Sequence, residues 1–369
     1  MITGLFTDIS GFGGVPRISQ HVASILQKLA EESNSSISIL SLNDSAGERS
    51  FKVDRSTVVS RGYGRRRIRF VLAALAKLFR SKVIYLAHPD LAPLGLVTKL
   101  IRPTARYVVA THGWEVWHRL PLLRRLGLRF ADCVTSPSSF TAERLVSVQK
   151  SDPSRVVIIP WAVDPSLMTS NGKLNGANKL NPGAEKALLT VGRLWDSERM
   201  KGVDNVIRVL PRVSEVVPNT HYFIVGEGDD QTRLAKLAVE NGVGDYVHFV
   251  GPKPDGQDLI QYYDACDVFV MPSKQEGFGL VFLEAMARGK AVIGANYGGA
   301  PDIIHDQVTG FLVGYDDLDS LTDRITRLLL NPELSRKMGE AGRDRVERNF
   351  SFAHLEQRLT ELMNRLADH

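Results

Sequence analysis

The amino-acid sequence predicts an α/β protein made of two Rossmann-like domains, each built on a doubly wound parallel sheet. At 369 residues the chain is long enough for two domains that each bury a core of their own. Short apolar segments rich in β-branched residues alternate with longer amphipathic segments through both halves of the chain. This alternation is typical of parallel sheets covered by helices, and such sheets bind ligands at the carboxyl ends of their strands.

The N-terminal domain is predicted over residues 1–165. Amphipathic segments between its strands, such as Val15–Ala30 and Ser138–Val148, are predicted to be helices. Residues 43–64 are predicted to be a loop that shapes an acceptor pocket. The predicted strands are Ile2–Phe6, Ile37–Leu42, Val83–Leu86, Tyr107–Thr111, Cys133–Ser136 and Val156–Ile159.

The C-terminal domain is predicted over residues 186–351. The preceding stretch 166–185 is rich in Asn and Gly and lacks apolar periodicity, which predicts an interdomain linker. A final helix within residues 352–369 is predicted to pack back on the first domain. The predicted strands are Ala187–Val191, Tyr222–Val225, Val247–Val250, Val268–Met271 and Ala291–Gly294, and the predicted helices are Val203–Val216, Asp229–Asn241, Asp258–Tyr263 and Gly279–Arg288.

Composition favours a cytoplasmic protein. Apolar residues make up 43% of the chain and charged residues 24%, which is ordinary for a globular protein. The two cysteines, Cys133 and Cys266, each begin an apolar strand and are predicted to be small buried residues, not parts of a disulfide framework or zinc site. No apolar run approaches the roughly 20 residues that span a bilayer, and the first residues do not resemble a signal peptide.

The net charge of +5 is unevenly distributed. Basic residues interleaved with leucines suit anionic lipid headgroups, so a peripheral contact with the inner face of the cell membrane is expected; the alternative is an ordinary solvated helix face. Nucleic acid is not predicted as a partner, because no recognition motif accompanies the basic residues. The clusters are Arg61, Arg65, Arg66, Arg67 and Arg69, and Arg119, Arg124, Arg125 and Arg129.

The main site prediction comes from the segment Glu276-Gly-Phe-Gly-Leu-Val-Phe-Leu-Glu284. Its first carboxylate follows an apolar strand, and its second projects from a helix about two turns later. Because a helix N-terminus beside a glycine loop suits phosphate, the two carboxylates are placed to bind sugar hydroxyls on either side of it. The alternative is a pair of solvated surface carboxylates. The other donor-binding candidates in this segment are Gly277, Phe278, Gly279 and Leu280.

A second candidate is the loop Gly192-Arg193-Leu-Trp-Asp-Ser-Glu-Arg-Met-Lys201, which follows the predicted strand Ala187–Val191. Arginine offers a planar fork and lysine a point charge, so the two cations can neutralise a pyrophosphate. Fixed cations at this point also stabilise charge that develops on a leaving phosphate. The alternative is a surface salt-bridge loop that uses Asp196 and Glu198.

Three further loops follow predicted strands. Gly13 and Gly14 open the first helix, where backbone amides can hold an anion. His112 ends the strand Tyr107–Thr111, where it is placed to bond a sugar hydroxyl or a phosphate. Glu227 is a candidate for lining the nucleotide pocket. Tight turns and a structural histidine remain the alternatives. The candidate acceptor-binding residues are Arg17, His88 and Trp114.

Together these motifs resemble those of retaining glycosyltransferases with the GT-B fold, of the glycosyltransferase group 1 or family 4 type. The resemblance implies two Rossmann-like domains that face each other across a cleft. It also implies a nucleotide sugar held mainly by the second domain, an acceptor held mainly by the first, and neither a metal nor another cofactor. The stretch Ser197-Glu-Arg-Met-Lys-Gly202 is similar to that of exopolysaccharide mannosyltransferases, which favours GDP-mannose over a UDP-sugar as donor.

The resemblance also implies residue roles. Arg193 and Lys201 would bind the donor diphosphate, Glu276 the hydroxyls of the donor sugar, and Glu284 the ribose. His112 would lie beside the donor sugar, while Gly13 and Gly14 would approach the phosphates or the acceptor. The cationic pair and the carboxylate pair are expected at opposite ends of one pocket.

The predicted function is a retaining, metal-independent hexosyltransferase. It would move a hexosyl group from a GDP- or UDP-sugar to a hydroxyl of a sugar or lipid-linked glycan acceptor. The catalytic candidates are His112, Arg193, Lys201 and Glu276. Alternatives are a sugar-nucleotide epimerase or hydrolase on the same fold, and a non-catalytic sugar-nucleotide sensor.

Overall fold

A computed structural model describes residues 1–11, 13–53, 56–168, 180–181, 183–253 and 256–368. The described chain divides into two compact units, Met1–Ala162 with Phe352–His369 and Val163–Ser351. Most of the predicted linker 166–185 lies outside the described residues. Each unit contains a parallel sheet covered by helices, and this confirms the predicted α/β fold class.

The first unit has an eight-stranded sheet among the described residues, in the order β3-β4-β2-β1-β5-β6-β7-β8. Neighbouring strands are parallel except for the antiparallel pair of β3 and β4. The strands are β1 Ile2–Phe6, β2 Ile37–Ser41, β3 Gly47–Val53, β4 Ser56–Gly62, β5 Val83–Leu86, β6 Arg106–Ala110, β7 Cys133–Ser136 and β8 Val156–Ile158. The helices that connect them are α1 Gly14–Glu32, α2 Arg67–Leu78, α3 Ala92–Ile101, α4 Leu122–Arg129 and α5 Ser139–Ser147.

The prediction of a loop over residues 43–64 is wrong, because β3 and β4 form an antiparallel hairpin there. The sequence of β3, Gly-Glu-Arg-Ser-Phe-Lys-Val, is polar and largely exposed. It therefore lacks the apolar run that marks a buried parallel strand. The hairpin forms one edge of the sheet, where β4 pairs with the end of β2.

The second unit has a six-stranded sheet among its described residues, in the order β11-β10-β9-β12-β13-β14, and all its pairs are parallel. The edge strand β14 was not predicted from the sequence. The strands are β9 Lys186–Val191, β10 Thr220–Val225, β11 Val247–Gly251, β12 Val268–Met271, β13 Ala291–Ala295 and β14 Gly310–Val313. The helices are α6 Pro165–Met168, α7 Val203–Val216, α8 Gln231–Glu240, α9 Gly256–Ala265, α10 Leu280–Ala287, α11 Ala300–Ile303, α12 Leu318–Leu330 and α13 Pro332–Asn349.

The last helix, α14 Phe352–Asp368, belongs to the first unit and packs on α1. The Lys28 ammonium lies 2.7 Å from the Glu356 carboxylate, and the ring of His21 meets that of Phe352 edge to face. The apolar face of α14 is buried, so the contact is a packed interface in addition to an ion pair.

Cys133 and Cys266 are both buried and not disulfide-bonded, and burial raises the pKa of each thiol to about 12. In the part of the chain that the structure describes, no helix is both long and apolar enough to cross a membrane.

Candidate active site

The segment between β12 and α10 folds as the glycines predict. Gly279 has a φ of 106° and lies immediately before α10. A Cβ at this position would lie 2.6 Å from the Phe282 ring, so both its conformation and its space require glycine. The buried Phe278 anchors the turn, and this leaves Glu276 at the carboxyl end of β12, where it is partly buried.

Glu284 lies in the middle of α10 and is only 3% exposed. The hydroxyl of Tyr263, on α9, donates a 2.7 Å hydrogen bond to its Oε2 atom. A buried carboxylate is stable only when such donors replace the lost water. Glu284 is therefore not the solvated surface residue of the alternative interpretation.

Four charged side chains form an alternating cluster at the carboxyl ends of β9 and β12. Glu198 Oε1 lies 2.5 Å from Arg193 Nη2, and Glu198 Oε2 lies 3.7 Å from Lys201 Nζ. Lys201 Nζ in turn lies 3.2 Å from Glu276 Oε2. The side chain of Arg193 is 67% exposed, whereas that of Lys201 is 15% exposed. We call these four residues the ionic cluster.

The ionic cluster corrects one expectation. Lys201 and Glu276 are in direct contact, so the cationic and carboxylate pairs do not occupy opposite ends of a pocket. Electrostatic attraction between two partly buried groups of opposite charge brings the two loops together. The alternative of a salt-bridge loop holds for Glu198, which pairs with both Arg193 and Lys201. Asp196 does not pair with these two cations but with Arg199.

Neighbouring loops pack closely around the ionic cluster. A Cβ on Gly226 would lie 1.9 Å from the Gly192 carbonyl oxygen, so these two backbones approach as only glycine permits. The Leu194 amide donates to the carbonyl of Glu227, whose side chain is exposed. The Gly299 amide donates to the Glu276 carbonyl, which joins the loop after β13 to the same edge.

His112 lies in the first unit, two residues after the end of β6, and is 8% exposed. Its Nε2 atom is 2.6 Å from the Ala87 carbonyl oxygen. Because a carbonyl only accepts, Nε2 carries the proton and Nδ1 is left as an acceptor. Nδ1 is buried and has no hydrogen-bond partner among the described residues. Burial, with a further contribution from His88, lowers the pKa of His112, so the ring is neutral near pH 7.

The acceptor-binding candidates lie in the same unit. His88 stacks on His112 with ring centroids 5.7 Å apart, and its Nδ1 accepts a hydrogen bond from the Asp90 amide. Trp114 is 43% exposed. Arg17 lies in the first turn of α1, and its amide donates to the carbonyl of Gly13, the residue before Gly14 and the helix.

A carboxyl pair that sequence reasoning missed supports this glycine loop. Asp44 accepts hydrogen bonds from the Ile9 and Ser10 amides, and Asp8 accepts one from the Gly11 amide. Burial and the contact with Asp44 raise the pKa of Asp8 to about 6. The sequence contains a pattern that could have predicted this pair, because an aspartate follows soon after each of the first two strands.

The predicted site residues are thus divided between the two units. The second unit contains Arg193, Lys201, Glu276 and Glu284, and the first contains His112, His88, Trp114, Arg17, Gly13 and Gly14. Their ligand roles stay predictions. Across the described ranges, no group of three His, Cys, Asp or Glu side chains is arranged to hold a metal ion.

Comparison with solved structures defines the fold class as GT-B. Sucrose-phosphate synthase from Thermosynechococcus elongatus superposes with a TM-score of 0.80 at 23% identity, over 99% of this chain and 98% of that one. The Anabaena protein HepE, solved with UDP and glucose, superposes with a TM-score of 0.77 at 18% identity over 99% of each chain.

Sequence comparison identifies the family. Residues 18–167 match Glycosyltransferase Family 4, and residues 175–345 match Glycosyl transferases group 1. A GDP-mannose-dependent alpha-(1-6)-phosphatidylinositol monomannoside mannosyltransferase from Mycolicibacterium smegmatis is 33% identical over 290 residues, 74% of each chain. A GDP-mannose-dependent mannosyltransferase of monoacylated phosphatidylinositol monomannoside from Corynebacterium glutamicum is 31% identical over 306 residues, 79% of each chain.

A D-inositol 3-phosphate glycosyltransferase from Stackebrandtia nassauensis is 31% identical over 234 residues, which is 61% of this chain and 52% of that one. The chain belongs to the glycosyltransferases of the group 1 and family 4 type. The prediction of a hexosyltransferase that uses a nucleotide sugar is confirmed at the level of class, and the epimerase, hydrolase and sensor alternatives are not supported.

Proposed function

We propose that this glycosyltransferase moves a mannosyl group from GDP-mannose to a hydroxyl of a lipid-linked or glycan acceptor, with retention of the α configuration. The observation that carries the proposal is the ionic cluster, in which two cations and two carboxylates meet at the carboxyl ends of β9 and β12. The choice of GDP-mannose is supported by the names of the Mycolicibacterium and Corynebacterium relatives.

The direct contact of Lys201 with Glu276 suits this chemistry. In a nucleotide sugar the β-phosphate is bonded to the anomeric carbon, so a cation for the phosphate and an acceptor for the sugar hydroxyls should lie side by side. Lys201 and Arg193 would hold the diphosphate, and Glu276 would accept from the mannose hydroxyls. Glu284 would bind the ribose.

The proposed reaction follows a front-face path. The bond between the anomeric carbon and the phosphate oxygen breaks, and the acceptor oxygen bonds to the same face of that carbon. The leaving phosphate oxygen takes the acceptor proton. Negative charge accumulates on the phosphate as its bond to the anomeric carbon breaks, and Arg193 and Lys201 stabilise this charge more in the transition state than in the ground state.

Mannosyl transfer by three variants tests the assignment. Arg193→Ala and Lys201→Ala should each lower turnover by roughly 100-fold or more. Arg199→Ala is the matched control, because Arg199 lies on the same loop and pairs with Asp196 and Asp230 instead. Near-normal turnover in both test variants would refute the proposal. Acceptor-independent release of GDP would instead support a hydrolase.

Retention and metal independence are parts of the same proposal. We expect the product to carry an α-linked mannose. The one-bond carbon–proton coupling of the anomeric carbon in its NMR spectrum distinguishes the α from the β linkage. We also expect turnover to survive a chelator, because Arg193 and Lys201 supply the positive charge that a metal ion provides in other transferases. A β-linked product, or activity that returns only with added Mg²⁺ or Mn²⁺, would contradict these two points.

We further propose that the first unit contacts an anionic membrane through α2, α3 and α4. Residues 65–130 contain fourteen of the 46 Lys and Arg residues but only two acids, Asp90 and Glu115. The rest of the chain has 32 basic and 39 acidic residues, so the excess of positive charge is confined to this segment. Helix α3 packs against both α2 and α4. Large apolar side chains are exposed on these helices and at their ends: Ile68, Leu72, Phe79, Leu100, Ile101, Leu122, Leu123 and Phe130.

Exposed apolar side chains among cations are typical of surfaces that lie on anionic lipid. Binding to vesicles of phosphatidylglycerol and phosphatidylcholine should exceed binding to phosphatidylcholine alone. The combined change of Leu72 and Leu100 to Ser should weaken it. Val239 and Leu330, which are 70% and 60% exposed in the second unit, give the control pair for the same change. Equal binding by both pairs would contradict the assignment of this surface.

A further inference from the structure

Glu198 places a negative charge between the two cations that are proposed to hold the donor diphosphate. One carboxylate oxygen lies 2.5 Å from Arg193 Nη2, and the other lies 3.7 Å from Lys201 Nζ. The side chain of Glu198 is only 18% exposed. The Glu198 carboxylate therefore already neutralises part of the positive charge that would attract a phosphate.

The carboxylate of Glu198 is incompletely satisfied. Its Oε2 atom is buried and has no hydrogen-bond partner in the described part of the chain. A buried carboxylate oxygen without a donor is unfavourable, and its attraction to Lys201 at 3.7 Å offsets only part of that penalty. A diphosphate that binds Lys201 more closely can therefore replace Glu198 in this contact.

The backbone of the loop is held independently of this carboxylate. The Glu198 amide donates to the Trp195 carbonyl, and the Lys274 amide donates to the Met200 carbonyl. Gly202, which follows Lys201, adopts a left-handed conformation and approaches the Pro272 backbone as only glycine can. The loop is therefore expected to keep its shape when the charge of Glu198 is removed.

We propose that Glu198 is a built-in counter-anion that competes with the nucleoside diphosphate for Arg193 and Lys201. This inference rests on the proposed function, in which these two cations bind the diphosphate. When the diphosphate binds, Glu198 gives up its contact with at least one cation. When transfer is complete, the carboxylate returns to the cations and assists release of the GDP product.

The sign of the effect follows from like-charge repulsion. The diphosphate and the Glu198 carboxylate are both anions that need the same partners, so their proximity weakens nucleotide binding. Glu198→Gln removes the charge while keeping the size and one oxygen acceptor for Arg193. We expect this variant to bind GDP at least about tenfold more tightly than the wild-type chain, as loss of a close like charge does elsewhere.

Isothermal titration of GDP into the full chain measures this difference. Glu198→Asp keeps the charge and should stay within about threefold of the wild-type affinity. Asp196→Asn is the matched control, because it removes a carboxylate from the same loop that pairs with Arg199. Unchanged or weaker GDP binding by Glu198→Gln would overturn the inference. Weaker binding would show that Glu198 instead holds Arg193 and Lys201 in the position that binds the diphosphate.

Two further titrations separate this inference from the proposed function. If Arg193→Ala and Lys201→Ala bind GDP as the wild-type chain does, the diphosphate assignment itself fails. If both lose affinity while Glu198→Gln gains none, the cations keep their assigned role and only the counter-anion inference fails. A stronger product inhibition of Glu198→Gln by GDP during mannosyl transfer would support the inference from kinetics.

Discussion

The hydroxyl of Tyr263 donates a 2.7 Å hydrogen bond to the carboxylate of Glu284, and both side chains are buried. Tyr263 lies on α9 and Glu284 on α10, so the bond links two helices beside the proposed donor site. It orients a carboxylate that is proposed to bind ribose.

Tyr263→Phe should therefore affect both stability and nucleotide binding. Loss of a hydrogen bond to a buried carboxylate lowers the free energy of unfolding by about 1–3 kcal/mol. We also expect a several-fold weaker affinity for GDP, measured by titration, because Glu284 loses a fixed orientation. Tyr262→Phe is the control, since Tyr262 neighbours Tyr263 in the sequence and contacts Lys253 instead. Unchanged GDP affinity in Tyr263→Phe would show that the orientation of Glu284 does not contribute to nucleotide binding.

A buried ion pair joins the end of α10 to α9. Arg288 Nε lies 2.6 Å from Asp264 Oδ1, both side chains are at most 4% exposed, and Arg288 also donates to the Leu167 carbonyl. Arg288→Ala leaves Asp264 without this partner and should destabilise the chain by about 3–5 kcal/mol in urea unfolding. Arg336→Ala breaks an ion pair whose partners are both 62% exposed, so it should change stability by less than about 1 kcal/mol. Similar losses in the two variants would contradict this ranking.

A histidine pair predicts acid sensitivity of the second unit. His221 Nδ1 lies 2.7 Å from His248 Nε2, and the two rings are stacked. Burial lowers the pKa of both rings below 6.5, and for His248 the neighbouring His221 contributes as well. As the pH falls through 6.5 the unfolded chain takes up protons that the folded chain does not, so the free energy of unfolding falls with it.

Urea unfolding at about pH 7.5 and about pH 5.5 measures this loss. The double variant with His221→Gln and His248→Gln should lose less stability between the two values than the wild-type chain. An equal loss in both proteins would show that other groups dominate the acid response.

The alternation of apolar and amphipathic segments was sufficient to predict most of the elements that carry the site. Helix α7 spans the predicted residues Val203–Val216, and β12 spans the predicted Val268–Met271. Both bury a continuous apolar run or stripe, which is the feature that sequence periodicity reports. Strand β3 was missed because its exposed, polar residues show no such pattern.

The contacts of the site could not be predicted in the same way. The pairing of Lys201 with Glu276 joins loops that are 75 residues apart in sequence, and it depends on β9 and β12 being neighbours in the sheet. The burial of Glu284 depends on α9, which supplies Tyr263. Sequence patterns indicated which side chains follow strands, but the pairs they form arise from tertiary packing.

A crystal structure of the chain with GDP-mannose bound tests the central claim most directly. We predict that nitrogen atoms of Arg193 and Lys201 lie within about 3 Å of diphosphate oxygens. Glu276 should accept from the mannose hydroxyls and Glu284 from the ribose. A diphosphate bound away from Arg193 and Lys201, with the ionic cluster left intact, would contradict the proposed function.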